Sequence, residues 1–184
     1  MVVQSTRKTY TLEEYQALYE LPEYRDKIIE LIDGELVEKM ASFEPSRIAA
    51  RIVRLIGNFI DERDLGYVTG ADGGYIMPNG DVLIPDVAYI SKERMPAEPQ
   101  REAPVPPDLA VEVKSPTDSK RQMRKKAERY LDNGARMVWL VFPEDQLVEV
   151  YVPDEDVKTF GLDTALDGGE VLPGFTLAVR AIFA

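Results

Sequence analysis

The sequence predicts a mixed α/β fold, a central mixed β-sheet flanked by helices with an N-terminal helix and β-hairpin in front, and three observations carry the prediction. Segments with helical and with strand periodicity are interleaved along the chain. The run ARMVWLVF at 135–142 is almost wholly apolar, as a strand covered on both faces must be. The 184 residues contain no repeat, low-complexity tract or interdomain linker, so one domain over 1–184 with a substantial core is expected.

The elements follow in order. Thr11 with Glu14 three residues later forms a capping-box pattern, which opens a short helix through about Glu20. IIELIDGELVEKM is two apolar-rich runs around Asp33-Gly34, a strong hairpin signal. From Ser46 to about Arg63 the pattern is a long amphipathic helix. Ile48, Ile52, Leu55, Ile56 and Phe59 share its apolar side, and Arg47, Arg51, Arg54 and Asn58 share another. GGYIM and DVLIPDVAYI read as strands on either side of an Asn79-Gly80 turn, and 91–107, with five prolines, reads as loop. DLAVEVK is a further strand. Asp118 or Ser119 caps the next helix, which stops near Asn133-Gly134. The buried run follows, then LVEVYV as the second arm of a hairpin. The acidic stretch 154–170 reads as mostly loop, and LPGFTLAVRAIF as a closing strand or short turn.

Composition removes whole classes of chemistry. The chain has no cysteine and no histidine, which excludes disulfides, thiolate or histidine zinc sites, and Ser-His-Asp or Cys-His catalysis. A resident metal would have to be held by oxygen, as Mg²⁺, Mn²⁺ and Ca²⁺ are. No apolar run reaches the roughly 18 residues of a membrane span. The opening MVVQSTRKTYTLEEY has no apolar leader core, so a cytoplasmic protein with no membrane association is expected. Net charge is −11, which by itself argues against a polyanionic partner. The charge is uneven: Lys114 to Arg129 carries +5 and Glu144 to Glu170 carries −8. The basic stretch is therefore expected to meet a polyanion while the acidic one stays away.

Two fragments could do chemistry: Pro85-Asp86, and Glu112-Val113-Lys114. Alternation along a strand sends Glu112 and Lys114 to one face and Leu109, Val111 and Val113 to the other. An acid and an amine on a face that should be core are costly unless paired. With Asp86 on a neighbouring strand, two carboxylates and an ammonium converge. The carboxylates suit a hard cation, and the lysine suits positioning water and neutralising charge at a phosphorus centre. Exposed strand ends with a turn aspartate are the plainer reading of the same residues. Lys126 lies roughly 60° from Met123 around the helix, at the border of the Met123, Ala127, Tyr130 and Leu131 stripe, where it can reach along the sheet or snorkel to water. Arg121, Lys125 and Arg129 face outward and, with Arg47, Arg51 and Arg54, are candidates for phosphate contact. Ser115 to Ser119 reads chiefly as a helix entry, and Trp139 and Tyr130 as core.

PDVAYI, PPDLAVEVKSP, the K-x-x-x-Y-x-x-x-G of KAERYLDNGA, and MVWLVFP together resemble the PD-(D/E)XK nuclease superfamily and, more narrowly, the Uma-two family of restriction-endonuclease-like proteins. ELIDGELVEKM and LPGFTLAVRAIF extend the likeness over nearly the whole chain, in order. The resemblance implies a restriction-endonuclease-like core, with Asp86 and Glu112 as metal ligands and Lys114 as catalytic lysine. It also implies Glu30 as an additional acidic ligand, with Glu35 as the substitute from the same hairpin. Relatives often replace the E-x-K lysine, which is intact here; they often carry a histidine at the start of the long helix, where this chain has Pro45. The expectation is a Mg²⁺-dependent endonuclease acting on DNA, with Mn²⁺ able to substitute, and a homodimer is compatible with it. Its rivals are a nuclease-fold protein that binds nucleic acid or protein without useful turnover, and an acidic interaction module holding Ca²⁺.

Overall fold

The computed structural model describes residues 8–184; residues 1–7, part of the opening read above for a leader, lie outside them. The expected sheet with flanking helices is present, and its six strands run in the order β10-β9-β8-β7-β6-β3. These are β3 (Gly66–Thr69), β6 (Val87–Ser91), β7 (Leu109–Val113), β8 (Met137–Phe142), β9 (Leu147–Tyr151) and β10 (Lys158–Gly161). Only β7 and β8 pair in parallel, joined across the sheet by α3 (Lys120–Asp132); the other pairings are antiparallel. Alternation along β7 and β8 separates two cores. Leu109, Val111, Val113, Trp139 and Val141 face α2 (Phe43–Asp61) and α4 (Val179–Phe183), whereas Ala110, Val138 and Leu140 face Met123, Ala127 and Tyr130 of α3.

A second sheet, β2-β1-β5-β4, is interleaved with the first along the chain. Its hairpin is β1 (Ile29–Ile32) and β2 (Glu35–Glu38), with β4 (Tyr75–Ile76) and β5 (Val82–Leu83) beside it. Asp33 and Gly34 both have positive φ, which a two-residue turn matched to strand twist requires. That turn fixes the register Ile32↔Glu35 and Glu30↔Val37. Ile29, Leu31 and Leu36 then pack against Tyr15 and Leu18 of α1 (Leu12–Leu18), which is closed by the expected Thr11–Glu14 box.

Several boundaries differ from the sequence reading. The long helix starts at Phe43, not Ser46, with Pro45 inside its first turn where a missing N–H costs nothing. DVLIPDVAYI is two strands, β5 and β6, split at Ile84-Pro85-Asp86. GYVT, which carries no apolar run, forms the edge strand β3. Its Gly66 is obligatory, because an added Cβ would sit 2.1 Å from the Ile90 carbonyl oxygen. The acidic 154–170 stretch contains β10 and β11 (Ala165–Asp167), and β11 pairs with β12 (Thr176–Ala178). Among the described residues no helix is long and apolar enough to cross a membrane.

Candidate active site

The site forms where the two sheets meet. The antiparallel register Val87↔Val111 of β6 and β7, carried one residue further, sets Asp86 across from Glu112. Asp86 is fixed there because its Oδ2 accepts the Val113 N–H at 2.8 Å. Its other oxygen, Oδ1, accepts from Lys39 Nζ, also at 2.8 Å, and the same ammonium donates to the Ile84 carbonyl at 2.7 Å.

Glu112 lies on the α3 face of β7 and is only 6% exposed. Its Oε1 receives the Tyr130 hydroxyl and the Lys126 ammonium, each at 2.8 Å. Lys126 also bridges to Glu30, at 2.8 Å from Oε1, and Glu30 Oε1 in turn accepts the Ile84 N–H at 2.8 Å. Three carboxylates and two ammoniums therefore gather in one place: Lys39 pairs with Asp86, and Lys126 bridges Glu30 and Glu112. Burial pushes the Glu112 carboxyl up, opposed by the Lys126 and Lys39 charges and reinforced by Asp86 and Glu30. Burial works against the Lys126 ammonium, but the Glu112 and Glu30 carboxylates outweigh it and hold that pKa above the ordinary lysine value. Burial and the Glu112 charge raise the Tyr130 phenol well above its ordinary value, so its hydroxyl remains a donor.

This arrangement accompanies a family assignment. The family described as "Uma2: Putative restriction endonuclease" matches residues 12–180. The chain belongs to the Uma2 family. Its fold is shared with a crystal structure of a "putative nuclease belonging to DUF820" from Anabaena variabilis ATCC 29413, at TM-score 0.80 and 23% identity over 94% of this chain and 97% of that one. Among curated proteins none matches.

The residues expected of this Uma2 protein fall into two groups. Glu30, Asp86, Glu112 and Lys126 are brought together. Lys114 is turned aside: its ammonium donates to the Ser115 carbonyl at 3.2 Å and to Glu144 at 3.3 Å. β7 ends at Val113, although the Lys114 backbone N–H still donates to the Val141 carbonyl of β8 at 2.9 Å.

The phosphate candidates need correction. Arg129 is not an outward, available guanidinium. It pairs with Asp33 of the hairpin turn and with buried Asp81, tying α3 to the second sheet. Arg51 and Arg47 donate to the carbonyls of Ala181 and Ala184 at the chain's last helix. Nor does the acidic segment stay away from the basic helix. Because β9 follows β8 by a tight turn, Asp145 reaches Lys120 and Glu149 reaches Arg124. Arg121 and Lys125 stay exposed, and no acidic side chain among the described residues pairs with either. Glu35 has an interaction of its own, outside the Glu30–Lys126 contact.

Lys39 and Tyr130, which contact Asp86 and Glu112, are members of the cluster that the sequence pattern did not single out. Tyr130 was read as core, which it also is, at 0% exposure. Lys39 had a usable signal. The Asp33-Gly34 turn pairs 32 with 35 and 30 with 37, so 28 pairs with 39, as the bond from Lys39 N–H to the Ile28 carbonyl confirms. Paired residues in antiparallel strands share a face, and Lys39 therefore belongs with Glu30.

Proposed function

We propose that this Uma2 protein is a divalent-cation-dependent endonuclease that hydrolyses DNA phosphodiester bonds, with Mg²⁺ as cofactor and Mn²⁺ able to replace it. The observation that carries the reading is Asp86 facing Glu112 at the meeting of β6 and β7, with Lys126 against Glu112. The donor set fits a hard cation, since both groups offer carboxylate oxygen and the chain has neither cysteine nor histidine. Among the described residues no three acidic side chains form a ready-made cage. Asp86 and Glu112 are the pair for the ion, with water and phosphate oxygens filling the other positions, the arrangement Mg²⁺ favours.

When bound, Mg²⁺ supplies Lewis-acid polarisation of the phosphodiester and activation of water. The chain supplies orientation and charge. The Val113 N–H holds Asp86, and the Tyr130 hydroxyl holds one oxygen of Glu112. Lys126 remains protonated beside Glu112, a fixed positive charge for the extra negative charge that develops on phosphate oxygens during hydrolysis. Glu30 serves Lys126 and the Ile84 N–H in this reading and positions the ammonium rather than the ion. Arg121 and Lys125 are the cations left for the DNA backbone.

The rival reading, a nuclease fold that binds without cutting, draws on Lys114, whose ammonium is turned to Glu144. The two are separated by assaying plasmid nicking with Mg²⁺, Mn²⁺ or EDTA for the wild type and for D86N and E112Q. The nuclease reading expects cleavage only with metal and its loss in both variants, with unfolding profiles that remain cooperative. Cleavage that persists in EDTA or survives both substitutions overturns it. DNA binding with no cleavage under any divalent ion favours the rival.

A further inference from the structure

We propose that Lys39 is a built-in stand-in for the divalent cation: its ammonium occupies the metal-facing oxygen of Asp86 and must leave that oxygen for the ion to bind. The inference rests on the nuclease reading of the site and concerns how the ion enters it. Asp86 has one oxygen spent on structure, because Oδ2 holds the Val113 N–H. The remaining oxygen, Oδ1, is the one with capacity for an ion, and Lys39 Nζ sits on it at 2.8 Å. On Glu112 both protein contacts fall on Oε1, which leaves Oε2 as that carboxylate's position for a ligand. Lys126 and Lys39 are thus not equivalent. Lys126 bridges Glu30 and Glu112 and has two carboxylates to hold it, whereas Lys39 has one carboxylate and the neutral Ile84 carbonyl.

Electrostatics explains why such a group is needed. Asp86 and Glu112 face each other, and Glu30 is joined to Glu112 through Lys126. With Lys126 alone, three carboxylates would share one positive charge in a largely buried place, which is costly. Lys39 supplies the second charge. It comes from the end of the hairpin's second arm, at the start of the chain's turn into α2, where the backbone N–H of Lys39 still holds the Ile28 carbonyl. Its side chain is 18% exposed, so solvent is within reach when it leaves. A four-carbon stem can swing without moving the strand that carries it. The exchange is an ion for an ion at Oδ1, with no bond to carbon, oxygen or phosphorus made or broken.

Lys39 is then a positioning residue whose removal helps the metal and harms the metal-free protein, two effects that a simple packing residue would not combine. The test uses the full chain with Mn²⁺ as probe, titrated by electron paramagnetic resonance, together with thermal unfolding with and without Mn²⁺. K39M removes the charge; K39Q removes it while keeping a donor for the Ile84 carbonyl; K39R keeps the charge. Mn²⁺ affinity is expected to rise about tenfold in K39M and K39Q, since a positive charge beside a carboxylate typically weakens its hold on a proton by about one to three orders of magnitude and repels a metal cation in the same sense. K39R should stay near wild type. In metal-free buffer K39M and K39Q should melt lower than wild type, and Mn²⁺ should raise their melting temperature by more than it raises that of wild type. Should K39M fail to fold, K39Q carries the test. If wild type binds Mn²⁺ in a manner lost in D86N, yet K39Q binds with equal or lower affinity, the inference fails and the nuclease reading stands. If neither wild type nor K39Q binds Mn²⁺, both fall. Binding seen in K39Q and absent in wild type supports the inference in its strongest form.

Discussion

Glu112, Lys114 and Lys39 show what a single residue's neighbours in sequence do and do not reveal. Alternation placed Glu112 correctly, because positions 109–113 are all strand. Lys114 lies one residue past the strand end, and its ammonium meets Glu144 rather than the carboxylate cluster. Lys39 was legible from the turn register and went unread, since nothing in its residue type separates it from a solvent-facing lysine. Lys126 was placed on the border of its helix stripe, and the structure resolves its two options in favour of Glu112 and Glu30. From this follows a stability prediction. Lys126 is only 20% exposed and its partners 4% and 8%, so K126M leaves two buried carboxylates short of a counter-charge. Urea unfolding should show a loss of about 3–5 kcal/mol. The double variant K126M/E30Q should recover part of it, and an unchanged midpoint in K126M would mean the cluster is solvated.

At the scale of elements, α3 carries the cost of holding the site in place. Its N-terminus is closed by a reciprocal Ser119–Gln122 box. S119A should lower stability by about 1 kcal/mol, read as a lower melting temperature with wild-type Mn²⁺ affinity. On its outer side Arg124 clamps Glu149, which also accepts the Tyr151 hydroxyl at 2.7 Å. Burial pushes the Glu149 carboxyl up, but the Arg124 and Tyr151 hydrogen bonds and the Arg124 charge outweigh it, so its pKa lies below the ordinary value. A folded-state pKa below the unfolded one contributes stability above the unfolded value of about 4.3, and that contribution is lost as pH falls through the folded value. E149Q should therefore be less stable than wild type at neutral pH, with the gap closing in acid. A gap that persists unchanged below pH of about 3 would assign the effect to packing instead. The elements left unread were short. β3 has four half-exposed residues, β10 has two exposed and two half-exposed, and β11 is three residues with one buried, so no apolar run marked them.

For the molecule as a whole, −11 is a less simple quantity than it looked. The +5 and −8 stretches were read as separate surfaces, but the fold presses part of one against the other, and linear charge counting has no access to that. Of the seven basic residues from 114 to 129, Lys114, Lys120, Arg124, Lys126 and Arg129 are spent on acids. Two remain, Arg121 and Lys125. With so few phosphates neutralised, DNA affinity in the presence of Ca²⁺ should depend weakly on salt, with a logarithmic slope of about −2. The R121Q/K125Q pair should bind more weakly and flatten that slope, with Mn²⁺ binding unchanged. A wild-type slope near −6 would require phosphate contacts from elsewhere. The mixed sheet, its helices and the nuclease family were all legible in the order of motifs. The ion pairs that close the charged surface were not, because they join residues up to 96 positions apart.

Ile84 and Val113 turn the buried carboxylates into something a spectrometer can follow. Each donates its backbone N–H to a side chain rather than to a strand: Ile84 to Glu30, Val113 to Asp86. Their rates of deuterium uptake are therefore set by how long those two acids stay in place, not by fraying of a ladder. The Ile84 carbonyl also receives Lys39, so that residue is held on both sides of its Cα. Titrating Mg²⁺ while recording exchange at these two amides would time the carboxylates directly, in the intact protein and without any substrate.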